Sequence, residues 1–200
     1  MPKVILTGFD PFKAQSINAS WVAVQAFRGK RIAGHRVVVA ELPTVFGQAT
    51  SRLRDLLIEH RPVLVIGVGE SSARDCLALE RVAINIIDAR IPDNNGVQPI
   101  NESVIKEAPV GYFGTLPIKK ILTNLNSVGI AAEISETAGT FVCNALFYGL
   151  MHELSTSRKF RHTRGGFIHV PAMPQQGSSP MRPEQVIEGL RVAISTSLKC

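Results

Sequence analysis

The sequence predicts an α/β fold in which strands and helices alternate along the whole chain. The first observation is that short apolar segments typical of strands are separated by segments with a helical pattern, as in βαβ units. The second is the continuously apolar run Val63-Leu64-Val65-Ile66, which is typical of a strand covered on both faces. With 200 residues, 45% of them hydrophobic, the chain can bury one sizeable core, so we expect a single domain over residues 1–200.

The first half of the chain is predicted to contain four strands and two helices. The opening Met1-Pro2-Lys3-Val4-Ile5-Leu6 is short and leads directly into a strand, so we do not expect a signal peptide. Apolar runs and their spacing predict strands at 3–7, 36–41, 63–68 and 76–85, with helices at 21–27 and 48–60.

The second half continues the alternation. It is predicted to form helices at 118–127, 143–154 and 183–197, with strands at 131–135 and 166–170. Pro171 ends the last strand, and Pro183 followed by Glu184 is favourable chemistry for the start of the last helix. Between them, the proline-rich segment 171–183 is expected to be a long surface connection.

Cys143 is placed by the sequence in the first turn of a predicted helix. The segment Thr137 to Asn144 contains a glycine and two threonines before the cysteine, and a long apolar run follows it. Backbone N–H groups at a helix start favour a thiolate over a thiol, so we expect a lowered pKa and a reactive Cys143. Position alone leaves open whether Cys143 is a nucleophile or a small buried core residue.

A cysteine nucleophile needs a base, and His169 is the best candidate among the five histidines. It ends an apolar strand, and strand ends are where ligands collect in an open α/β sheet. His152 lies nine residues beyond Cys143 on the same predicted helix, which places it on the opposite face. His35, His60 and His162 are expected to be solvated loop residues.

Glu80 is the candidate for orienting that histidine. In a strand over 76–85, period two places Glu80 on the same face as Cys76, Ala78, Val82 and Ile84. A carboxylate on an apolar face is costly unless it is paired, and an imidazole held in one tautomer is such a partner. A salt bridge to a neighbouring arginine is the alternative.

Charge and cysteine content exclude several classes. The net charge of +6 has one local cluster, at 158–164, without the aromatic residues or module of a nucleic-acid-binding surface, so no nucleic-acid partner is expected. No apolar run is long enough to cross a membrane. The three scattered cysteines, Cys76, Cys143 and Cys200, form neither a disulfide framework nor a metal pattern, and they suit a reducing cytoplasm.

Several motifs together resemble those of the pyroglutamyl peptidase type I family, cysteine peptidases that remove an N-terminal pyroglutamyl residue. The order and spacing of the motifs carry the resemblance along nearly the whole chain. They are Thr7-Gly8-Phe9-Asp10-Pro11-Phe12, Leu42-Pro43-Thr44-Val45-Phe46-Gly47, Val65-Ile66-Gly67-Val68-Gly69, Glu80-Arg81-Val82-Ala83-Ile84-Asn85, Asp88-Ala89-Arg90-Ile91-Pro92-Asp93-Asn94, Tyr112-Phe113-Gly114-Thr115-Leu116-Pro117, Thr137 to Asn144, and Gly165-Gly166-Phe167-Ile168-His169-Val170-Pro171.

The resemblance implies a three-layer α/β/α sandwich with a twisted, mostly parallel or mixed sheet, no cofactor, no metal, a cytoplasmic location and a homo-oligomer, a tetramer or dimer. It assigns Glu80, Cys143 and His169 as catalytic residues. The N–H of Cys143 is well placed to bind the oxyanion, and the resemblance adds the charge of Arg90. The implied substrate pocket consists of Phe9, Phe12, Asn18, Thr44, Glu70, Ile91, Phe141 and Val142.

The chain departs from the family pattern in two loops. Lys13-Ala14-Gln15 stands where the family has two glycines, and Ala19 stands where it has proline. Lysine and alanine take positive φ only at a cost, so the shape of this loop is expected to differ. Glu70 replaces a glutamine, and we expect its carboxylate to point to solvent and to change selectivity little.

Two other functions stay open on the residues alone. A glutamine amidotransferase would share the cysteine and histidine but would recognise a free α-amino acid, which the apolar aromatic loop 9–12 does not favour. A catalytically silent binding module is the second alternative, and the presence of all three candidate catalytic residues argues against it.

Overall fold

The computed structural model describes residues 1–176 and 181–199, which form an alternating series of strands and helices. Two short 3₁₀ turns, Arg158–Phe160 and Pro174–Gln176, lie on either side of the last strand. The other elements are β1 Lys3–Phe9, α1 Ala19–Gln25, β2 Arg31–Ile32, β3 His35–Leu42, α2 Gln48–His60, β4 Leu64–Glu70, β5 Leu77–Glu80, β6 Val82–Ile84, β7 Gly111–Phe113, α3 Ile118–Ser127, β8 Ala132–Ser135, α4 Val142–Thr156, β9 Arg164–Val170 and α5 Pro183–Leu198.

The main sheet has seven strands in the order β2-β3-β1-β4-β9-β5-β8. Its pairs β1–β3, β1–β4, β4–β9 and β5–β8 are parallel, whereas β2–β3 and β5–β9 are antiparallel. The predicted mostly parallel or mixed sheet is therefore confirmed. The reversal at β5 brings the end of this strand beside the middle of β9, where Glu80 pairs with Phe167.

Helices cover both faces of this sheet. One apolar core lies between the sheet and α1, α3 and α5, and the other lies between the sheet and α2 and α4. The central strands β1 and β4 are buried along nearly their whole length, because each contributes side chains to both cores. The predicted three-layer α/β/α sandwich is confirmed.

The predicted strand 76–85 is wrong in its second half. β5 ends at Glu80, and Val82–Ile84 forms a separate two-stranded sheet with β7. At Arg81 the chain leaves the main sheet: its N–H still bonds to Ser135, while its carbonyl accepts from Gly114. Val82 and Ile84 therefore do not extend the face on which Glu80 lies.

Two smaller expectations also need correction. The sequence analysis did not predict the short strands β2 and β7, because two or three residues are too few to show an alternation of apolar and polar side chains. The predicted surface connection 171–183 is buried at Pro171, Met173 and Met181, the last two within the core beside α5, while its residues 177–180 lie outside the described residues. Within residues 1–176 and 181–199, no helix has both the length and the apolar character needed to cross a bilayer.

Candidate active site

The candidate site lies at the ends of β4 and β9, beside the start of α4. Cys143 is the second residue of α4, and Gly69 near the end of β4 faces it. A Cβ atom on Gly69 would lie 2.9 Å from Cys143 Sγ and 2.8 Å from the Phe167 ring. Only glycine leaves room for both groups, so Gly69 fixes how closely the thiol approaches the sheet.

Asn144 anchors the start of α4 to the neighbouring chain. Its side chain is fully buried, accepts a hydrogen bond from the N–H of Ile84 at 3.0 Å, and donates to the carbonyls of Ile84 and Ile86 at 2.9 and 3.0 Å. The three bonds fix the turn of helix that carries Cys143. The sequence analysis did not identify this residue, although a polar side chain directly before a long apolar run was a signal for it.

His169 and Glu80 form a buried pair across two neighbouring strands. His169 pairs with Ala78 in the antiparallel register, and Glu80 is two residues along on the same face. Nδ1 of His169 lies 2.7 Å from Oε1 of Glu80, and both residues are almost completely buried. A carboxylate only accepts, so Nδ1 carries the proton and Nε2 is left with a free lone pair.

Arg74 lies behind this pair. Its Nη2 donates to Ser135 Oγ at 2.7 Å and is 3.6 Å from Glu80 Oε1, while Nη1 pairs with Glu133. Arg74 is thus the neighbouring arginine considered as an alternative partner for Glu80. Its distance to Oε1 of Glu80 is longer than that of Nδ1 of His169. Within the described part of the chain, Oε2 of Glu80 is buried without a hydrogen-bond partner.

The expectation of a lowered pKa for Cys143 is wrong for the free site. The pKa of the thiol is raised to about 12, first by burial and then by the carboxylates of Glu80 and Glu70, whereas its own backbone N–H lowers it. The helix start therefore lowers the pKa of the thiol by less than desolvation and two nearby negative charges raise it. Cys143 rests as a thiol, and its deprotonation requires a partner that takes the proton.

This resting state predicts how Cys143 responds to pH. Iodoacetamide should alkylate it at a rate that rises about tenfold per pH unit between about pH 7 and about pH 10, because the thiolate fraction grows in that proportion below the pKa. The measurement uses the Cys76→Ala/Cys200→Ala variant, in which Cys143 is the remaining thiol. A rate that levels off below about pH 8 would contradict a raised pKa.

A cavity of about 370 Å³ opens beside Cys143. All the predicted pocket residues line it except Val142, whose side chain is buried in the core against α2. Arg90 also lines the cavity, together with residues that the sequence analysis did not predict. The full lining is Phe9, Phe12, Gln15, Asn18, Thr44, Glu70, Ser72, Asp88, Arg90, Ile91, Gly139, Thr140, Phe141 and Cys143.

One wall of the cavity is aromatic. The ring of Phe141 packs edge-on against Phe12 at 5.5 Å and against Phe46 at 5.1 Å between centroids. A second cavity of about 810 Å³ adjoins the first, shares Phe12, Glu70, Arg90, Phe141 and Cys143 with it, and reaches His169. The thiol and the imidazole therefore face connected space.

Two aspartates that the sequence analysis passed over hold the loop of Thr44 in place. The N–H of Thr44 donates to Asp10 Oδ1 at 2.7 Å, and the N–H of Phe46 donates to Asp93 Oδ2 at 2.9 Å. Lys13, in the loop whose shape was expected to differ, has a φ of 55° and donates its N–H to Asn94. Lys13 thus takes a positive φ, which costs a lysine more than it costs a glycine.

Glu70 does not point to solvent as expected. Its carboxylate lines the cavity and accepts the N–H of Ala19 at 2.6 Å and the side-chain amide of Gln176 at 3.0 Å. The buried Ala19 and the half-buried Gln176 hold the side chain inward, and donors so distant in sequence carry no local signal.

The other four histidines do not belong to the Glu80–His169 pair. His152 bonds to the hydroxyl of Tyr112 at 3.0 Å, consistent with its placement on the far side of α4. His35 and His60 belong to β3 and α2 and are not loop residues, whereas His162 is exposed. Across residues 1–176 and 181–199, no three His, Cys, Asp or Glu side chains are grouped to hold a metal ion.

Comparisons with known proteins agree with this geometry. A pyrrolidone-carboxylate peptidase 1 from Ralstonia nicotianae is 48% identical over 204 residues, covering 100% of this chain and 94% of the relative. Pyroglutamyl peptidase I from Bacillus amyloliquefaciens has a solved structure with a TM-score of 0.95 and 43% identity, covering 100% of this chain and 98% of that one. A variant pyrrolidone carboxyl peptidase from Pyrococcus furiosus superimposes with a TM-score of 0.93 at 39% identity, covering 98% of each chain. The pyroglutamyl peptidase family model matches residues 2–200, and the chain belongs to that family.

Proposed function

We propose that this protein is a cysteine peptidase that removes an N-terminal pyroglutamyl residue from peptides. The observation that carries the proposal is the buried Glu80–His169 pair beside a cavity that Cys143 lines. Family membership supplies the substrate class, because the relatives are named for that activity. No observation favours an amidotransferase or a silent binding module.

In the proposed first step, Cys143 attacks the carbonyl carbon of the pyroglutamyl residue. Its proton moves to Nε2 of His169, and a bond forms between Sγ and the carbonyl carbon. Glu80 orients the imidazole through Nδ1 and stabilises the imidazolium. Because the resting thiol has a raised pKa, proton transfer and attack are coupled and wait for the substrate.

The tetrahedral intermediate needs donors for its oxyanion. The N–H of Cys143 belongs to the first turn of α4, where backbone N–H groups lack partners within the helix. Arg90 lines both cavities and brings a positive charge to the same space. We assign the oxyanion to these two groups.

Collapse of the intermediate breaks the C–N bond. The imidazolium of His169 protonates the departing amine, and a pyroglutamyl thioester remains on Cys143. Water, deprotonated by the now neutral His169, then attacks the thioester and restores the thiol. The proton that leaves with the amine is replaced by one from water, so Cys143 and His169 end in their starting protonation states and the cycle needs no cofactor.

The pocket suits an uncharged lactam ring. Phe9, Phe12 and Phe141 give it apolar walls, Thr44 and Ile91 complete that side, and the buried Asn18 adds polar groups. Val142 does not line the cavity, because its side chain packs in the core. Glu70 takes part as well, although bonds to Ala19 and Gln176 occupy much of its acceptor capacity.

Selectivity for the lactam provides the test of this function. Fluorogenic amides of pyroglutamate should be cleaved at least about 100-fold faster than those of glutamate or glutamine, because an ionised amine loses hydration in an apolar pocket. Hydrolysis of the three amides by the parent enzyme is compared under identical conditions. Comparable cleavage of a free-amine substrate would mean that Glu70 serves as its counter-charge, and the proposed specificity would fail.

We propose that the enzyme works in the cytoplasm as a homo-oligomer, a tetramer or dimer. The scattered thiols suit a reducing compartment. Large apolar side chains stand exposed beside the small sheet, with Val110 90% and Phe113 69% accessible, and contact with a second copy would cover them.

A further inference from the structure

The carboxylate of Glu70 joins segments that are far apart in sequence. Glu70 is the last residue of β4, and its Oε2 accepts the N–H of Ala19 at 2.6 Å. The amide of Gln176 donates to both of its oxygens at 3.0 Å. One side chain thus connects the first residue of α1 with the segment that follows β9.

Gln176 is itself fixed from both ends of its amide. Its Oε1 accepts the N–H of Met173 at 2.8 Å, and its Nε2 also lies 3.4 Å from the carbonyl oxygen of Ile17. Met173 is buried in the core beside α5. The glutamine is therefore anchored to the core and extends to Glu70.

The segment held in this way carries Asn18, which lines the cavity. Asn18 uses its Oδ1 to accept from the N–H and hydroxyl of Ser20 and its Nδ2 to donate to the carbonyl of Asp10. A shift of Ala19 therefore moves Asn18 and, through Asp10, the loop of Thr44. Glu70 can act on the substrate through these neighbours.

We propose that Glu70 and Gln176 form a clasp that positions Asn18 and its loop for substrate binding. The inference rests on the proposed function and deepens it, because it assigns positioning residues for the same pocket. The carboxylate is needed since it faces only donors: the N–H of Ala19 bonds to one of its oxygens and the amide of Gln176 to both, and an amide in its place would turn a donor of its own toward one of these groups.

The pattern of donors and acceptors predicts that exchanging the residues at 70 and 176 restores the bonds that each single substitution loses. In Glu70→Gln, the new amide accepts from Ala19 only if its NH₂ faces the NH₂ of Gln176, so one bond is lost. In Gln176→Glu, two carboxylates face each other. In the double variant, the amide at 70 donates to the carboxylate at 176, which still accepts from Met173, and the number of charges is unchanged.

The experiment measures two quantities in the parent, the two single variants and the double variant. The first is the rate of hydrogen exchange at the Ala19 amide, and the second is the pair kcat and KM for a pyroglutamyl amide. Gln175→Glu is the matched control, because it adds the same charge at an exposed neighbouring residue outside the clasp.

In each single variant, exchange at Ala19 should become about tenfold faster and KM should rise about tenfold, while kcat stays within about twofold. The double variant should return both quantities to within about threefold of the parent, and Gln175→Glu should leave them unchanged. Unchanged exchange and KM in Glu70→Gln, or effects that simply add in the double variant, would overturn the clasp. If the parent failed to cleave the amide, the proposed function would fall, and the exchange rates alone would still decide the clasp.

Discussion

Cys143→Ala should reduce the rate of pyroglutamyl amide cleavage by at least about 10⁴-fold, because Cys143 is the one cysteine among the described residues that lines the cavity of about 370 Å³, whereas Cys76 lines only the adjoining one. The fold should remain, since the Sγ atom fills a small space between Gly69 and the cavity and anchors no element. The midpoint of thermal unfolding should stay within about 4 °C of the parent, the range expected for about 1 kcal/mol in a chain of this size.

The matched control for this substitution is Cys76→Ala. Cys76 is a partly buried cysteine that packs against the core on the other face of the sheet, so its loss should leave kcat largely intact. Mass spectrometry after alkylation should find modification of Cys143 in step with loss of activity. A loss of less than about 100-fold in Cys143→Ala would refute the assignment of the nucleophile.

The second large effect concerns the pair His169 and Glu80. His169→Ala should be nearly inactive, and Glu80→Gln should lose on the order of 10³-fold in kcat, because an amide neither stabilises an imidazolium nor fixes the required tautomer. The double variant should be little worse than His169→Ala alone, since the two residues act as one unit. Steady-state kinetics of the three variants measures this coupling.

Glu133→Gln serves as the control for Glu80→Gln. It also removes a carboxylate that Arg74 contacts, but at an exposed position on β8, which β5 separates from the strand of His169, so kcat should change little. If the losses of His169→Ala and Glu80→Gln added fully as free energies, the histidine and the glutamate would act independently, and the proposed pair would be wrong.

The sequence predicted the alternation of strands and helices, the family resemblance predicted the three layers, and local signals indicated Cys143, His169 and Glu80, of which the structure pairs the last two and places Cys143 and His169 on connected space. Cys143 stands at the start of an apolar helix, and His169 stands at the end of a strand that Pro171 terminates; both signals are local. Glu80 was identified by a polar side chain on an apolar face. These arguments survive even though the strand that carries Glu80 ends directly after it.

What the sequence could not predict depends on contacts between distant segments. The inward orientation of Glu70 follows from donors at residues 19 and 176, and the raised pKa of Cys143 follows from burial by segments that only the fold assembles. The break at Arg81 likewise depends on two distant residues, since its N–H donates to the carbonyl of Ser135 and its own carbonyl accepts from the N–H of Gly114. Helix position alone was the wrong guide to the thiol, because desolvation exceeded the effect of the helix start.

The diagonal placement of His169 and Glu80 on β9 and β5 has a consequence for which properties of the protein mutations can alter. To separate the two strands that carry these side chains, β5 must leave the sheet and expose Leu77 and Leu79 to water, an opening close in cost to global unfolding. The pocket walls are loops, whose local openings cost far less. Mutations can therefore remodel what the enzyme recognises while its acid–base chemistry persists, so new specificities are more accessible to evolution than new chemistry.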